Sequence, residues 1–314
     1  MKKVVFALLA MLSAAISVAQ DSRTEYNFLR LPVSAHAAAI GGDNVTVVAD
    51  DISLIFSNPA LLCNVSNKTI GLNYMNYMHG ANTLSATFNF GVLDRGSVAV
   101  SAQYMDYGKM KETTSEGVEI GEFSARDIAF AGYFSYLLND MFSAGITAKV
   151  ITSYIGQYNS IGIGVDVGLN FFHQATEWSA SITAKNLGGQ VKAFEDDYEP
   201  MPIDVLVGVS KRLIHTPLRL NLTFVDLTHW KQSFKNHIVI GADVLITDNI
   251  WVGLGYNFRR ASEMSVGSGD NNSSHWAGFS VGAGLNLSHF KVNLAWGKYH
   301  VGSSSIMVNL AYAL

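Results

Sequence analysis

The sequence predicts an all-β transmembrane fold, an antiparallel outer-membrane β-barrel of about fourteen strands with an N-terminal hatch or plug segment. Three observations predict it. The chain is 49% hydrophobic with a mean hydropathy of +0.20, yet beyond its first residues no apolar run approaches the roughly 20 residues a membrane helix needs. Apolar residues instead alternate with small or polar ones over segments of about 10 to 13 residues, near the length of a tilted membrane-crossing strand and above the soluble mode of about 5 to 6. The connections between these segments also sort by length, short on one side and long on the other.

The N-terminus sets the compartment. Lys2 and Lys3 precede an apolar stretch, and Ser17-Val18-Ala19 offers the small residues of a signal-peptidase site. Cleavage before Gln20 is expected, which divides the chain into a signal peptide (1–19), a hatch or plug segment (20–66) and a barrel (67–314). The formal net charge is −4, and loss of Lys2 and Lys3 makes the mature chain more acidic still. That balance argues against a nucleic-acid partner. The only cysteine, Cys63, has no partner for an internal disulfide and is expected as a small buried or membrane-facing side chain.

Fourteen alternating segments are expected, near 67–78, 82–92, 97–107, 126–138, 141–154, 159–172, 177–187, 202–213, 217–227, 236–247, 249–259, 275–287, 290–299 and 304–314. In the sixth, Ile161, Ile163, Val165, Val167, Leu169 and Phe171 share one face, and Gly162, Gly164, Asp166, Gly168 and Asn170 share the other. A barrel turns the apolar face to lipid and the small or polar face to the lumen. The last segment alternates to the final residue, as expected of a strand that must pair with the first.

Connections after even-numbered strands are short: 93–96, 139–140, 173–176, 214–216, 248 and 288–289. Those after odd strands include long polar stretches at 108–125, 188–201, 228–235 and 260–274. This places both termini in the periplasm and the long loops outside the cell. Tyr104, Tyr107, Tyr154, Tyr158, Trp178, Trp251, Trp276, Trp296 and Tyr299 lie near strand ends and are expected as an interfacial girdle.

Residues 20–66 alternate poorly. They contain a small apolar run at 35–40, a turn at 41–44 and Asn58-Pro59, whose order favours a turn or an extended bend. Too apolar for a free tail, the segment is expected to fill the lumen or its periplasmic mouth. Asp50, Asp51, Phe56, Asn58, Pro59 and Ala60 lie in a stretch, 49–61, that resembles the hatch motif of the FadL-type fatty-acid transporters. The preceding residues 26–35 and 37–42, with Asn186-Leu187-Gly188, resemble the PorV/PorQ branch of that superfamily, which serves the type IX secretion system of the Bacteroidota. The length fits the shorter, PorQ-like side of the branch. The resemblance implies a FadL-like barrel with a hatch in a cell-surface attachment complex. The partners it implies are the surface protein PorZ and the PorU and PorV components, besides outer-membrane lipid and lipopolysaccharide.

No active site is expected, and neither a cofactor nor a resident metal. Most of the nine His (His79, His173, His215, His229, His275, His289 and His300) lie at predicted rims or loops, with no local motif joining them to a Ser and an acid. Glu195, Asp196, Asp197 and Tyr198 form an acidic loop that lacks the ordered spacing of a calcium site. With Lys109, Lys111, Glu112, Glu116, Glu119 and Glu122 of the 108–125 loop, and with Arg259, Arg260 and Trp230, they are the candidate partner-binding loop residues. Lys149 and Asp166 fall on the lumen face of neighbouring strands and are expected to pair there, with an ion or solute path as the alternative. The functional expectation is a non-enzymatic scaffold that anchors a surface partner through its outer loops. The alternative is a transporter of hydrophobic compounds across the outer membrane.

Overall fold

Each strand turns its apolar side chains outward. Leu72, Leu84, Val100, Phe130, Ile163 and Leu310 are exposed, whereas Asn73, Ser85, Ser101, Ala129, Asp166 and Asn309 on the alternate positions are buried. The structure, a computed structural model, describes residues 24–78, 80–92, 94–229, 233–247, 249–264, 276–300 and 302–314. The expected signal peptide and Trp230 lie outside them.

Among the described residues the strands are β1 (Thr69–Asn76), β2 (Asn82–Gly91), β3 (Gly96–Thr113), β4 (Glu119–Leu137), β5 (Phe142–Ile155), β6 (Tyr158–His173), β7 (Trp178–Lys192), β8 (Asp204–Arg212), β9 (Leu218–Phe224), β10 (Ile238–Thr247), β11 (Ile250–Asn257), β12 (Phe279–Asn286), β13 (Phe290–His300) and β14 (Ser303–Ala313). Each pairs antiparallel with its sequence neighbours, and β1 closes on β14 in the register Thr69↔Ala313 to Asn76↔Ile306. Closure leaves no unpaired edge in the hydrocarbon layer, where an unsatisfied backbone group is costly. No helix among the described residues is long and apolar enough to cross a membrane.

Two expected loops are corrected. The 108–125 stretch is mostly strand: β3 and β4 continue as a hairpin from Lys109↔Ser124 to Thr113↔Glu119. Its body stands clear of the barrel, because β2 pairs with β3 only as far as Asp106, and β5 pairs with β4 only from Ala125. Beyond the lipid there is no need for an apolar face, so the sequence loses its alternation without losing the strand. The 188–201 stretch likewise begins as strand, since β7 runs to Lys192 and pairs with β6 there.

Residues 24–66 lie inside the barrel. Tyr26, Phe28 and Leu29 pack against Met105, Ala129 and Ile151, and Ile52, Ile55 and Leu62 pack against Ala99, Tyr133 and Ala311. A short helix, Ala35–Ala39, is capped by Ser34 Oγ, which accepts from Ala37 N at 3.3 Å, and it packs Ala35, Ala38 and Ala39 against Met75, Trp251 and Met307. The wall makes room at Gly145, where an added Cβ would lie 2.3 Å from the Pro59 carbonyl carbon.

The segment runs from the rim of the long connections toward that of the short turns. Glu25 N donates to Pro200 O in the long β7–β8 connection, whereas Leu314 N donates to Lys68 O at the short-turn rim. The first described residues therefore sit at the rim opposite the C-terminus, and the chain threads the lumen before β1 begins. The expected mature N-terminus at residue 20 lies outside the described residues. The girdle is corrected too: Trp178 and Trp276 are exposed, but Trp251 and Tyr299, 4% and 5% exposed, point into the lumen.

Gly145→Val is expected to lower unfolding stability by about 1–3 kcal/mol, because it overpacks the wall against Pro59. Gly132→Val, with nothing within 4 Å of its added Cβ, is expected to have little effect. Urea titration of the barrel in lipid, read by heat-modifiable gel mobility, compares the two.

Candidate functional site: the filled lumen and its outer mouth

The residues of the 49–61 stretch act as caps and clamps. Asp51 accepts from Ser53 N at 2.9 Å, which caps the 3-10 turn Ile52–Phe56, and it accepts from Asn293 Nδ2 of β13 at 3.0 Å. Asp50 accepts from Ser66 N at 2.7 Å and pairs with Lys291 of β13. Asn58 is extended, as a residue before proline should be, and its Oδ1 accepts from Ala60 N at 3.0 Å while its Nδ2 donates to Val45 O. Pro59 then occupies the first turn of the 3-10 helix Pro59–Asn64, where its missing N–H costs nothing. Ala60 O accepts from Ser135 Oγ of β4, and Phe56 meets Tyr133 edge-on at 5.9 Å. Cys63 is half-buried, with Sγ 2.9 Å from Ser135 Oγ.

Charges inside the lumen are held in pairs. Lys149 Nζ lies 2.8 Å from Asp166 Oδ1 and donates to Asn186 Oδ1 at 2.7 Å, while Asn186 N donates to Asp166 Oδ1. Asn186 takes a left-handed φ of 59°, and the β6–β7 register shifts beside Asp166. On the opposite wall Asp243 accepts from Arg219 Nε at 2.8 Å and from Asn221 Nδ2 at 3.0 Å, and lies 3.0 Å from His36 Nε2. His36 stacks on Trp251 with ring centroids 3.8 Å apart. Between residues 29–33, Tyr133, Lys149 and Asp166 lies a cavity of about 40 Å³, room for a few water molecules, and a second space of about 110 Å³ lies beside His36, Asp50, Arg219 and Trp251.

A larger recess of about 270 Å³ opens at the rim of the long connections. Arg30, Asp43, Lys185, Asp204, Arg259, Arg260, Glu263 and Tyr299 line it. The short helix Phe258–Glu263, capped by Asn257, carries both arginines. Arg259 pairs with Asp226 at 3.5 Å and with Glu263 at 2.8 Å, and its side chain is 15% exposed. Arg260 lies 3.8 Å over the Tyr299 ring. Of the candidate partner-binding residues, Arg259 and Arg260 both turn into the mouth, where Asp226 and Glu263 hold the first and the Tyr299 ring the second.

The other expected loop residues remain apart from this recess. Glu195, Asp196, Asp197 and Tyr198 are exposed in the β7–β8 connection, and no group of three or more ligating side chains among the described residues could hold a metal ion. On the hairpin, Lys109 pairs with Glu122 at 3.0 Å and Lys111 pairs with Glu119, while Glu112 is exposed in β3 and Glu116 in the turn. Such exposed pairs contribute little stability. Arg30, His36, Lys185, Arg219 and Asp243 escaped the sequence reading. Asp243 carried the same signal as Asp166, a charge at an inward position between outward Ala242 and Val244.

No family model matches the chain, and no curated protein does. Solved structures do match in fold. The toluene transporter TbuX of Ralstonia pickettii aligns with a TM-score of 0.56 and 12% identity, covering 90% of this chain and 96% of its own. The monoaromatic hydrocarbon channel CymD aligns at 0.58 and 13%, covering 90% and 96%. A Pseudomonas aeruginosa FadL homologue aligns at 0.53 and 10%, covering 90% and 98%. The fold is thus that of the FadL-like outer-membrane barrels, fourteen antiparallel strands closed around an interior.

Lys149→Ala leaves Asp166 buried and unpaired, so it is expected to cost about 3–5 kcal/mol, whereas the double variant Lys149→Met, Asp166→Leu loses less. Urea titration of both variants measures the difference. At Asp50, burial disfavours the carboxylate, but Lys291 and two hydrogen bonds from Ser66 outweigh it and hold its pKa below the ordinary value. Its contribution to stability is therefore present above the ordinary aspartate pKa of about 3.9 and is lost as pH falls through the lower folded-state value. Melting midpoints of the wild type and Asp50→Asn are expected to differ near neutral pH and to converge in strong acid.

Proposed function

We propose that this chain is a non-enzymatic scaffold of the outer membrane, a barrel held shut that anchors a surface partner through its outer rim. By the resemblance of residues 26–61, the partner is a PorZ-like protein of the type IX attachment complex, alongside PorU and PorV. The observation that carries the reading is the closed interior. Residues 24–66 pack through the lumen, and the space left beside Lys149 and Asp166 is about 40 Å³. A continuous apolar route needs a cavity of several hundred cubic ångströms. The protruding β3–β4 hairpin and the 193–203 connection offer the partner a rigid platform.

A second reading, passage of hydrophobic compounds, is favoured by the fold comparisons over the first, because the similar structures include a toluene transporter and a monoaromatic hydrocarbon channel. Two measurements separate the readings. Affinity recovery from outer-membrane extracts is expected to bring down a large surface protein in equal amount, and trimming 107–124 or 193–201 is expected to abolish it. Toluene entry into proteoliposomes is expected to match that of protein-free vesicles. Faster, saturable entry with unchanged recovery after both trims would establish the channel reading instead.

A further inference from the structure

The recess at the outer mouth holds hydrogen-bond donors that meet no acceptor among the described residues. Among the described residues Arg30 Nε, Arg260 Nη1 and Tyr299 Oη meet no hydrogen-bond partner, and all three residues line the same space of about 270 Å³. An unmade bond at a buried polar group is costly, and native structures retain few of them. Of the lining cations, Arg259 alone makes ion pairs among the described residues, to Asp226 and Glu263. Among the described residues Arg30, Lys185 and Arg260 have no carboxylate in contact.

Arg260 is held in place by its surroundings. Its guanidinium stacks on Tyr299, and beneath it Gly42 has a φ of +102° and no side chain. A Cβ at Gly42 would lie 2.5 Å from Arg260 Nη2, so a larger residue would displace the guanidinium. A planar guanidinium with one face stacked still presents its edge, the geometry suited to a carboxylate.

We propose that this recess binds a small polar monocarboxylate, held by Arg30, Arg260 and the Tyr299 hydroxyl with Lys185 nearby. The charge count favours a monoanion over a dianion. With Asp226, which pairs with Arg259 across the mouth, four carboxylates (Asp43, Asp204, Asp226 and Glu263) face Arg30, Lys185, Arg259 and Arg260, a balance that disfavours a dianionic phosphate more than a singly charged carboxylate. Size and polarity select a small molecule. The recess is about 270 Å³, and although Leu29, Leu31, Leu206 and Met264 contribute to its lining, charged and polar side chains make up the larger part of it, which suits a short polar acid better than a long acyl chain. The site is independent of whether the barrel anchors a partner or passes a solute.

Isothermal titration of the detergent-solubilised, full-length mature barrel with gluconate, at ionic strength held constant with chloride, tests the assignment. Saturable binding at one site is expected. Arg260→Gln and Tyr299→Phe should each weaken it, the arginine variant by about tenfold or more, since a charge-assisted bond is lost. Retained heat-modifiable mobility confirms that each variant is folded, and Arg30→Gln serves as the second charge deletion if Arg260→Gln does not fold. Competition by phosphate and decanoate completes the test, with gluconate expected to bind more tightly than either. Absence of saturable gluconate binding, undiminished binding in the folded arginine variants, or stronger binding of phosphate or decanoate would each overturn the proposal.

Discussion

A closed sheet that turns its apolar side chains toward lipid has no hydrophobic core of its own to collapse on. Its inner face is rich in serines, threonines, asparagines and glycines with a few charges, besides apolar groups such as Met105, Ile151 and Trp251, and the polar groups need partners where bulk water is scarce. The N-terminal segment meets that need. It brings in Ile40, Val47, Leu54 and Leu61 as a small apolar centre. Its caps and carbonyls reach the wall: Asn309 Nδ2 donates to Val33 O, Ser179 Oγ to Thr46 O, and Ser135 Oγ to Ala60 O. The barrel and the segment inside it therefore form one packed unit.

The charges follow from the same constraint. A carboxylate inside the lumen is tolerated where a cation and further donors meet it, and Asp166 and Asp243 each have both. These pairs add little net stability compared with an apolar filling, but they fix positions. Lys149, Asp166 and Asn186 hold β7 in a bulge, and the Asp243 cluster ties the Ala35–Ala39 helix to β9 and β10 through His36. At the outer mouth the balance changes, with Arg259 fully engaged and, among the described residues, Arg260 and Arg30 left with unused donors.

Much of this was legible in the sequence. Period-two alternation located all fourteen strands, because a lipid-facing side chain must be apolar at every second position whatever its neighbours do. The same parity placed Lys149 and Asp166 inside. What alternation could not reveal were features free of the lipid constraint. The 107–113 and 119–124 arms keep their strand pairing outside the membrane, where charged residues serve as well as apolar ones. Trp251 and Tyr299 sit near strand ends, as girdle residues do, yet they face a ring and a guanidinium inside. Arg259 and Arg260 looked like loop residues because the carboxylate partner of Arg259 across the mouth, Asp226, is more than thirty residues away in the chain. The direction in which residues 24–66 thread the lumen is set by tertiary packing alone.

The central claim, that the interior is closed by the chain's own N-terminal segment, is most directly tested by native-state hydrogen exchange on the barrel in lipid. The amides of Ala38, Gly42 and Leu61, which donate to Ser34, Ala37 and Asn58 carbonyls inside the lumen, are expected to exchange as slowly as those of the surrounding strands. Exchange of residues 24–66 at the rate of an unstructured chain, with the strands still protected, would contradict it.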